Sequence, residues 1–234
     1  MAAREDTALS VLMPVYNERA TIETAIERVL AEDHSVDGLE LIVVDDGSTD
    51  GTRELLDSRG WPDNVHVLCH DRNRGKGAAL RTGLERAAGD YCTIMDADLE
   101  YDPSNFSSLL APLRAGEAEA VFGVRGFQAH SAYSFWYVVG NKAVTLAANV
   151  LYNAWLSDLM TCQKVLKTSL FRALPLRANG FAIEAEITGR LLRGGARVYE
   201  VPITYRARRR EEGKKLTPVD GLKVVGTLVR CRIR

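Results

Sequence analysis

Residues 91–103 read YCTIMDADLEYDP and place an apolar run directly against a group of acids. The run Tyr91–Met95 suits the interior of a sheet, whereas four of the next seven residues are Asp or Glu. Like charges so close together repel one another, and a positive group among them would relieve that repulsion. We therefore expect a buried strand whose end carries a cation site.

Other apolar runs along the chain have the length of strands, and segments with helical spacing separate most of them. The strand-like runs are Leu9–Met13, Leu39–Val44, Val65–Leu68 and Ala118–Val124. Helices are predicted over Thr21–Ala31, near Thr52–Ser58, along a face formed by Leu80, Leu84 and Ala88, and over Phe181–Leu192. Strands without polar alternation, interleaved with helices, indicate an α/β fold: a Rossmann-like, mostly parallel sheet with helices on both faces.

Acidic residues follow three of the predicted strands, as Asn17-Glu18, Asp45-Asp46 and Asp96-x-Asp98. Ligands of parallel sheets bind beyond the carboxyl ends of the strands, so these groups should meet at one edge. Two carboxylates there suit a hard divalent ion, Mg²⁺ or Mn²⁺, that bridges to a substrate phosphate. Asp50 is explained by helix capping, but the pair Asp45-Asp46 is not, and one of the two should face the ligand.

No repeat or linker divides the chain, so we expect one domain over 1–234, with a C-terminal, helical and basic elaboration from about residue 126. Between Arg206 and Arg234 ten Lys and Arg face three acids, a net of +7, which leaves −8 on residues 1–205 of a chain at −1. A basic end on an acidic body indicates an anionic partner: nucleic acid, a phosphate group or a membrane surface. A solvated charge run is the alternative.

The sequence also indicates where the protein acts. MAAREDTALS at the start has no apolar core of a signal peptide. The four cysteines have no C-x-x-C spacing, and Cys69 and Cys92 lie in strand-like runs, so we expect buried free thiols in a reducing compartment. Polar residues interrupt Ala132–Leu156, which predicts an amphipathic or buried helix. Its aromatic residues suit either an interfacial helix or core packing. We expect a cytoplasmic protein, with any membrane contact peripheral and at the cytoplasmic face.

Motifs in order along the chain resemble family 2 glycosyltransferases of GT-A fold. They are Pro14-Val15-Tyr16-Asn17-Glu18, Val43-Val44-Asp45-Asp46-Gly47-Ser48, Asn73-x-Gly75-Lys76-Gly77 and Asp96-Ala97-Asp98. Later motifs resemble the polyprenyl-phosphate hexose synthases, the dolichol-phosphate mannose synthase type. These are Asp158-x-x-Thr161-Cys162-x-Lys164, Phe181-x-x-Glu184-x-Glu186-Ile187, Glu200-Val201-Pro202-Ile203-x-Tyr205 and Glu212-Gly213-Lys214-Lys215. The resemblance spans about residues 8–225.

The resemblance implies a role for each matching residue. Residues 8–125 would bind the nucleotide sugar and 126–234 the acceptor. Pro14, Tyr16, Glu18 and Asp46 would hold the base and ribose, and Asp96, Asp98 and Glu100 the metal ion on the diphosphate. Arg125, Arg208 and Lys215 match basic positions near phosphates and, with Asp98, are the catalytic candidates. Further substrate contacts are expected from Lys76, Ala97, Glu184 and Glu186. The chain departs from its relatives at Gln163, Ala182 and Ala185, which bears on the acceptor pocket more than on the donor site.

The implied reaction is metal-dependent transfer of a hexose from a UDP- or GDP-sugar to a polyprenyl phosphate, with inversion. A phosphate monoester is largely dianionic at neutral pH and attacks without a general base. The cofactor would be Mg²⁺ or Mn²⁺, and pairing into a homodimer is open.

Two alternatives stand beside this function. In the first, a soluble hydroxyl is the acceptor and Glu184, Glu186 or Asp158 is the base. In the second, the Arg-rich end binds nucleic acid. No recognised nucleic-acid motif accompanies it, and acidic strand ends would repel a phosphate backbone, so we expect no nucleic-acid partner.

Overall fold

A seven-stranded mixed sheet forms the centre of the protein in a computed structural model, which describes residues 8–126, 135–207 and 218–233. The strands are β1 (Leu9–Val15), β2 (Leu39–Asp45), β3 (Val65–Cys69), β4 (Tyr91–Ile94), β5 (Ala120–Arg125), β6 (Lys164–Lys167) and β7 (Val198–Ile203). Their order is β3-β2-β1-β4-β6-β5-β7, with β6 antiparallel to both neighbours and all other pairs parallel. The predicted α/β class and mostly parallel sheet are confirmed.

Eight α-helices lie within the described residues. They are α1 (Ile22–Leu30), α2 (Thr52–Ser58), α3 (Lys76–Arg86), α4 (Phe106–Arg114), α5 (Phe135–Tyr152), α6 (Thr168–Ala173), α7 (Ile183–Arg193) and α8 (Pro218–Ile233). Each predicted helix is present, but α3 ends before Ala88, which is exposed. The elements α4, α6, α8, β6 and β7 were not predicted. Since β6 and β7 extend the main sheet, the C-terminal part is more than a helical addition.

Burial on both faces explains the central strands. Every residue of β2 is buried, and β1 is buried except at Pro14, so helices cover both sides of the sheet. A second, smaller apolar cluster joins α5, α7 and α8 through Val144, Leu159, Ala185 and Leu228. No helix among the described residues is long and apolar enough to cross a membrane. Of the predicted buried thiols, Cys92 is buried, whereas Cys69, at the end of the outer strand β3, is exposed.

Candidate active site

The three acid-bearing strand ends lie side by side, as predicted, around a cavity of about 280 Å³. The parallel register aligns Val15 of β1 with Asp45 of β2, and Met95 after β4 donates its N–H to Leu12 O at 2.9 Å. Predicted site residues that line the cavity are Pro14, Tyr16, Glu18, Asp46, Lys76, Asp96, Ala97, Asp98, Glu100, Arg125 and Glu184. Residues from the first and second halves of the chain therefore share one site.

Hydrogen bonds join the loops that follow β1 and β2. Asn17 donates its N–H to Ser48 Oγ at 2.9 Å, and its side-chain oxygen accepts from Thr49 N at 2.8 Å. Glu18 N–H donates to Thr52 Oγ1 at 3.1 Å. Asp50 accepts from Arg19 N at 3.1 Å and from Thr52 N, the first N–H of α2, at 3.0 Å, although Gly51 is the N-cap residue of that helix. The wall that carries Tyr16 and Glu18 is thus held in place before any ligand binds.

Asp45 and Asp46 face opposite ways, and Asp46 is the one that lines the cavity. The Asp45 carboxylate, fully buried, accepts from Arg53 Nε at 3.0 Å and from Ser48 N at 3.2 Å. Asp46 lies 2.6 Å from His70 Nδ1 and accepts from Arg74 N and Gly75 N at 2.9 and 2.7 Å. Beside its predicted part in nucleotide binding, Asp46 therefore fixes the segment of residues 73–77, which we call the glycine loop.

The four acids after β4 have different surroundings. Asp96 pairs with Lys76, and Asp98 Oδ1 accepts from Glu100 N at 3.1 Å. Glu100 accepts a hydrogen bond from the Tyr205 hydroxyl. Burial, together with this carboxylate, raises the pKa of Tyr205 well above its usual range, which keeps the hydroxyl protonated. Asp102 turns away from the cavity, pairs with Arg28 at 2.9 Å and caps Ser104 N.

The loop after β4 that carries Asp96, Asp98 and Glu100, which we call the acidic loop, fits a divalent ion that a ligand would also coordinate. Across the described residues no three His, Cys, Asp or Glu side chains converge as a metal cluster. Asp96, Asp98 and Glu100 nevertheless line one cavity and offer only carboxylate oxygens. Mg²⁺ and Mn²⁺ favour this donor set, and Mg²⁺ in particular takes one or two carboxylates with waters and substrate phosphates in the other positions. The residues present therefore fit such an ion.

A chain of four alternating charges runs inward from this loop. Lys76 Nζ lies 2.7 Å from Asp96 Oδ1 and 3.2 Å from Glu184 Oε1. Glu184 Oε2 lies 2.7 Å from the ammonium of Lys164, which is fully buried in β6 and also donates to Thr161 O. Burial acts to lower the pKa of Lys76, but Asp96 and Glu184 raise it well above its usual range. Lys76 is therefore an ammonium ion at neutral pH.

Arg125, at the end of β5, is fixed by a buried bidentate ion pair. Its Nε and Nη2 atoms donate to the two Asp158 oxygens at 2.7 and 2.8 Å. The guanidinium also lies over the Tyr205 ring, 5.2 Å from its centroid, and Nη1 donates to the Tyr137 hydroxyl at 3.3 Å. Such a planar, held guanidinium is well suited to a phosphate oxygen.

Glu186 does not line the cavity. Its Oε2 accepts from the N–H groups of Arg177 and Ala178 at 2.8 and 2.7 Å. This segment lies against α3, where Gly77 donates its N–H to Asn179 O at 2.6 Å. A Cβ on Gly77 would come 2.1 Å from Ala178 O, so only glycine permits this approach. Glu186 thus holds the segment that packs on the glycine loop, and its predicted substrate contact remains a prediction.

Two predicted catalytic residues, Arg208 and Lys215, lie outside the described residues. The cavity also has lining residues that were not predicted, including Tyr101, Tyr137, Met160, Phe181 and Tyr205. Phe181 and Tyr205 belong to the recognised motifs, so those motifs were a signal for them. Tyr137 and Met160 reach the cavity through tertiary packing and had no signal.

Comparison with known proteins gives relatives along nearly the whole chain. The low-salt glycan biosynthesis hexosyltransferase Agl6 of Haloferax volcanii is 32% identical over 96% of this chain and 54% of that protein. The dolichol-phosphate mannosyltransferase of Pyrococcus furiosus is 29% identical, over 88% of this chain and 58% of that one. The undecaprenyl-phosphate mannosyltransferase of Micrococcus luteus is 30% identical, over 92% and 90%. The chain thus spans little more than half the length of the first two relatives.

Solved structures give the same fold. Glucosyl-3-phosphoglycerate synthase from Mycobacterium tuberculosis, in complex with Mn²⁺, UDP and glucosyl-3-phosphoglycerate, superimposes with a TM-score of 0.73 at 26% identity. The match covers 96% of this chain and 80% of that one, and the sheet and helices are those of a GT-A fold. The model of glycosyl transferase family 2 matches residues 10–174. Because this model matches more than half of the chain, the chain belongs to glycosyl transferase family 2.

Proposed function

We propose that this protein transfers a hexose from a nucleoside-diphosphate sugar to a polyprenyl phosphate, with a divalent cation and with inversion. The names of the Pyrococcus furiosus and Micrococcus luteus relatives support a polyprenyl phosphate acceptor. The Mn²⁺–UDP complex of the structural neighbour supports the donor and the cation. One observation in this chain carries the choice of acceptor: the three carboxylates that could act as a base are already engaged.

Each candidate base has partners that a proton acceptor would have to give up. Asp158 is in the bidentate pair with Arg125, and Glu186 accepts two backbone N–H groups outside the cavity. Glu184 lies between the ammonium groups of Lys76 and Lys164. A hydroxyl acceptor needs a base, whereas a phosphate oxygen already carries the charge with which it attacks. The arrangement therefore favours a phosphate acceptor.

The reaction is a single displacement at the anomeric carbon. An oxygen of the acceptor phosphate forms the new bond as the bond to the diphosphate oxygen breaks, and no proton needs to move. Asp96, Asp98 and Glu100 would hold the divalent cation, which when bound supplies positive charge to the departing diphosphate. Arg125 is placed to orient the acceptor phosphate, and the basic residues Arg208 and Lys215 are proposed to assist it. Attack from the opposite face gives inversion.

We expect the donor site to bind nucleoside diphosphates only weakly without a cation. A thermal-shift panel of UDP, GDP, ADP and CDP, each with and without Mn²⁺, tests this. One nucleotide should raise the melting temperature by several degrees with Mn²⁺ and by much less with EDTA, since ligands that bind the native state stabilise it. If all four leave the melting temperature unchanged in both conditions, the proposed donor is wrong.

A lipid acceptor would reach the cavity along α5. Tyr137 in the first turns of this helix lines the cavity, so the helix begins at its mouth. An exposed apolar stripe then follows with helical spacing: Phe135, Val139, Leu146 and Val150, exposed by 69%, 40%, 62% and 75%. Trp155, just beyond the helix, is 89% exposed. We propose that this stripe lies in the membrane interface while the polyprenyl phosphate enters the cavity.

Replacing Leu146 and Val150 by Glu should weaken vesicle binding by about tenfold per residue, because each side chain loses burial worth about 1.5 kcal/mol or more. Transfer to a polyprenyl phosphate embedded in vesicles should fall in parallel, while transfer to a short-chain, water-soluble analogue should be retained. Tyr199→Glu is the control, because Tyr199 is an exposed residue near the start of β7. Unchanged vesicle binding in the double variant would rule out this surface.

A soluble phosphorylated acceptor is the second candidate, since the structural neighbour is a glucosyl-3-phosphoglycerate synthase. One assay that offers a polyprenyl phosphate and 3-phosphoglycerate as rival acceptors separates the two. Exclusive use of 3-phosphoglycerate would show that the acceptor is a soluble compound that reacts through a hydroxyl group, and not a polyprenyl phosphate.

A further inference from the structure

Lys76 connects the acidic loop to the interior of the protein, and its position has a consequence for how the donor binds. It is the first residue of α3 and follows Gly75, whose φ of +93° suits glycine. The next residue, Gly77, is fixed by its hydrogen bond to Asn179 O. The backbone at this point is therefore held, and the long side chain is the part that can change position.

We propose that Lys76 is an internal counter-ion that holds Asp96 before the donor binds and transfers to Glu184 when the divalent cation and the nucleoside diphosphate bind together. This inference rests on the proposed function. It identifies the side chain that links binding of the divalent cation to binding of the nucleoside diphosphate. The ammonium lies between both Asp96 oxygens, at 2.7 and 2.9 Å. It therefore occupies the carboxylate that the cation would need.

Glu184 has one carboxylate oxygen that could accept a hydrogen bond from this ammonium. Its Oε2 is fixed by Lys164 at 2.7 Å, whereas Oε1 is buried and has no hydrogen-bond partner. Lys76 Nζ is already within ion-pair distance of Oε1, at 3.2 Å, but without hydrogen-bond geometry. A small movement of the side chain would give Oε1 its missing donor. A buried carboxylate oxygen without a donor is otherwise costly, so the protein has a reason to keep this position.

The balance of charge makes the cation and the nucleotide depend on each other. Lys164, Glu184, Lys76 and Asp96 alternate in sign and are neutral as a set. Asp98 and Glu100 would attract a divalent cation, but the cation alone would lie beside the buried ammonium of Lys76, which occupies Asp96 and repels a second positive charge. A diphosphate arriving with the cation compensates that charge. We therefore expect the cation to bind weakly alone and much more tightly with the nucleotide.

The test measures Mn²⁺ binding directly, from the electron paramagnetic resonance signal of free Mn²⁺, without and with UDP or GDP. In the wild-type protein the nucleotide should strengthen Mn²⁺ binding by at least about tenfold, and Lys76→Met should bind Mn²⁺ alone at least about tenfold more tightly than wild type. Lys76→Arg keeps the charge and should resemble wild type. Lys167→Met is a matched control, because Lys167 is exposed at the opposite end of β6.

The inference would be overturned if Lys76→Met bound Mn²⁺ no more tightly than the wild-type protein does. It would also be overturned if Lys76→Arg bound Mn²⁺ as tightly as Lys76→Met. If Lys76→Met does not fold, the wild-type measurement decides: an Mn²⁺ affinity that is the same with and without a bound nucleotide contradicts the linkage. If neither nucleotide binds the wild-type protein even with Mn²⁺, the proposed function fails instead.

Discussion

Replacing Asp98 by Asn should lower kcat/KM by about a thousandfold, because loss of several kcal/mol of charge stabilisation corresponds to tenfold per 1.4 kcal/mol. Asn keeps the size of the side chain and its ability to accept from Glu100 N. Asp98 is a better position than Asp96 for testing the cation site, because replacing Asp96 would also remove the ion-pair partner of Lys76. The measurement is initial rate against donor concentration at saturating Mn²⁺, together with Mn²⁺ binding.

Asp102→Asn is the matched control on the same acidic stretch. The Asp102 carboxylate pairs with Arg28 and does not line the cavity. This pair is partly exposed, and such pairs contribute about 1 kcal/mol or less, so activity should stay within a few-fold of wild type. If Asp98→Asn is as active as Asp102→Asn, the acidic loop does not hold the catalytic cation.

Replacing Arg125 by Met should reduce the free energy of unfolding by about 3–5 kcal/mol, since it leaves the Asp158 carboxylate buried without its partner. Asp158 is 5% exposed, and both of its oxygens accept from this one guanidinium. Denaturant unfolding followed by circular dichroism gives the value. The variant should also lose activity, because the guanidinium is proposed to orient the acceptor phosphate.

A second variant separates stability from catalysis. Arg125→Met combined with Asp158→Leu removes both charges and should recover most of the lost stability, because apolar pairs of similar size often replace buried ion pairs without loss. Activity should remain low. Arg59→Ala, which breaks an exposed pair with Glu23, should cost less than about 1 kcal/mol. A double variant that regains activity along with stability would show that Arg125 is purely structural.

Local pattern was sufficient to predict most of the sheet and the edge at which most of the predicted site residues meet around one cavity. The apolar runs of β1, β2 and β4 are nearly uninterrupted, and each is followed by acids, so both the strands and their shared edge could be read from the sequence. Strand β6 was missed because it has four residues and begins and ends with Lys. The buried ammonium of Lys164 is paired with Glu184, twenty residues later in the chain.

The orientation of side chains could not be predicted in the same way. Asp45 and Asp46 are adjacent and chemically identical, and Arg53 and the glycine loop decide which of them faces the cavity. Glu184 and Glu186 lie on one helix two residues apart, yet one lines the cavity and the other supports a loop. Such differences depend on partners that are distant in sequence.

Strand β6 also sets the distance between the acidic loop and Arg125. It lies between β4 and β5, which run in the same direction, so the acidic loop and Arg125 are at the same edge but two strand spacings apart. At about 4.8 Å per spacing this separation is roughly 10 Å. Under the proposed function, a single antiparallel strand would thus be a spacer that leaves room for one sugar ring between the departing diphosphate and the acceptor phosphate.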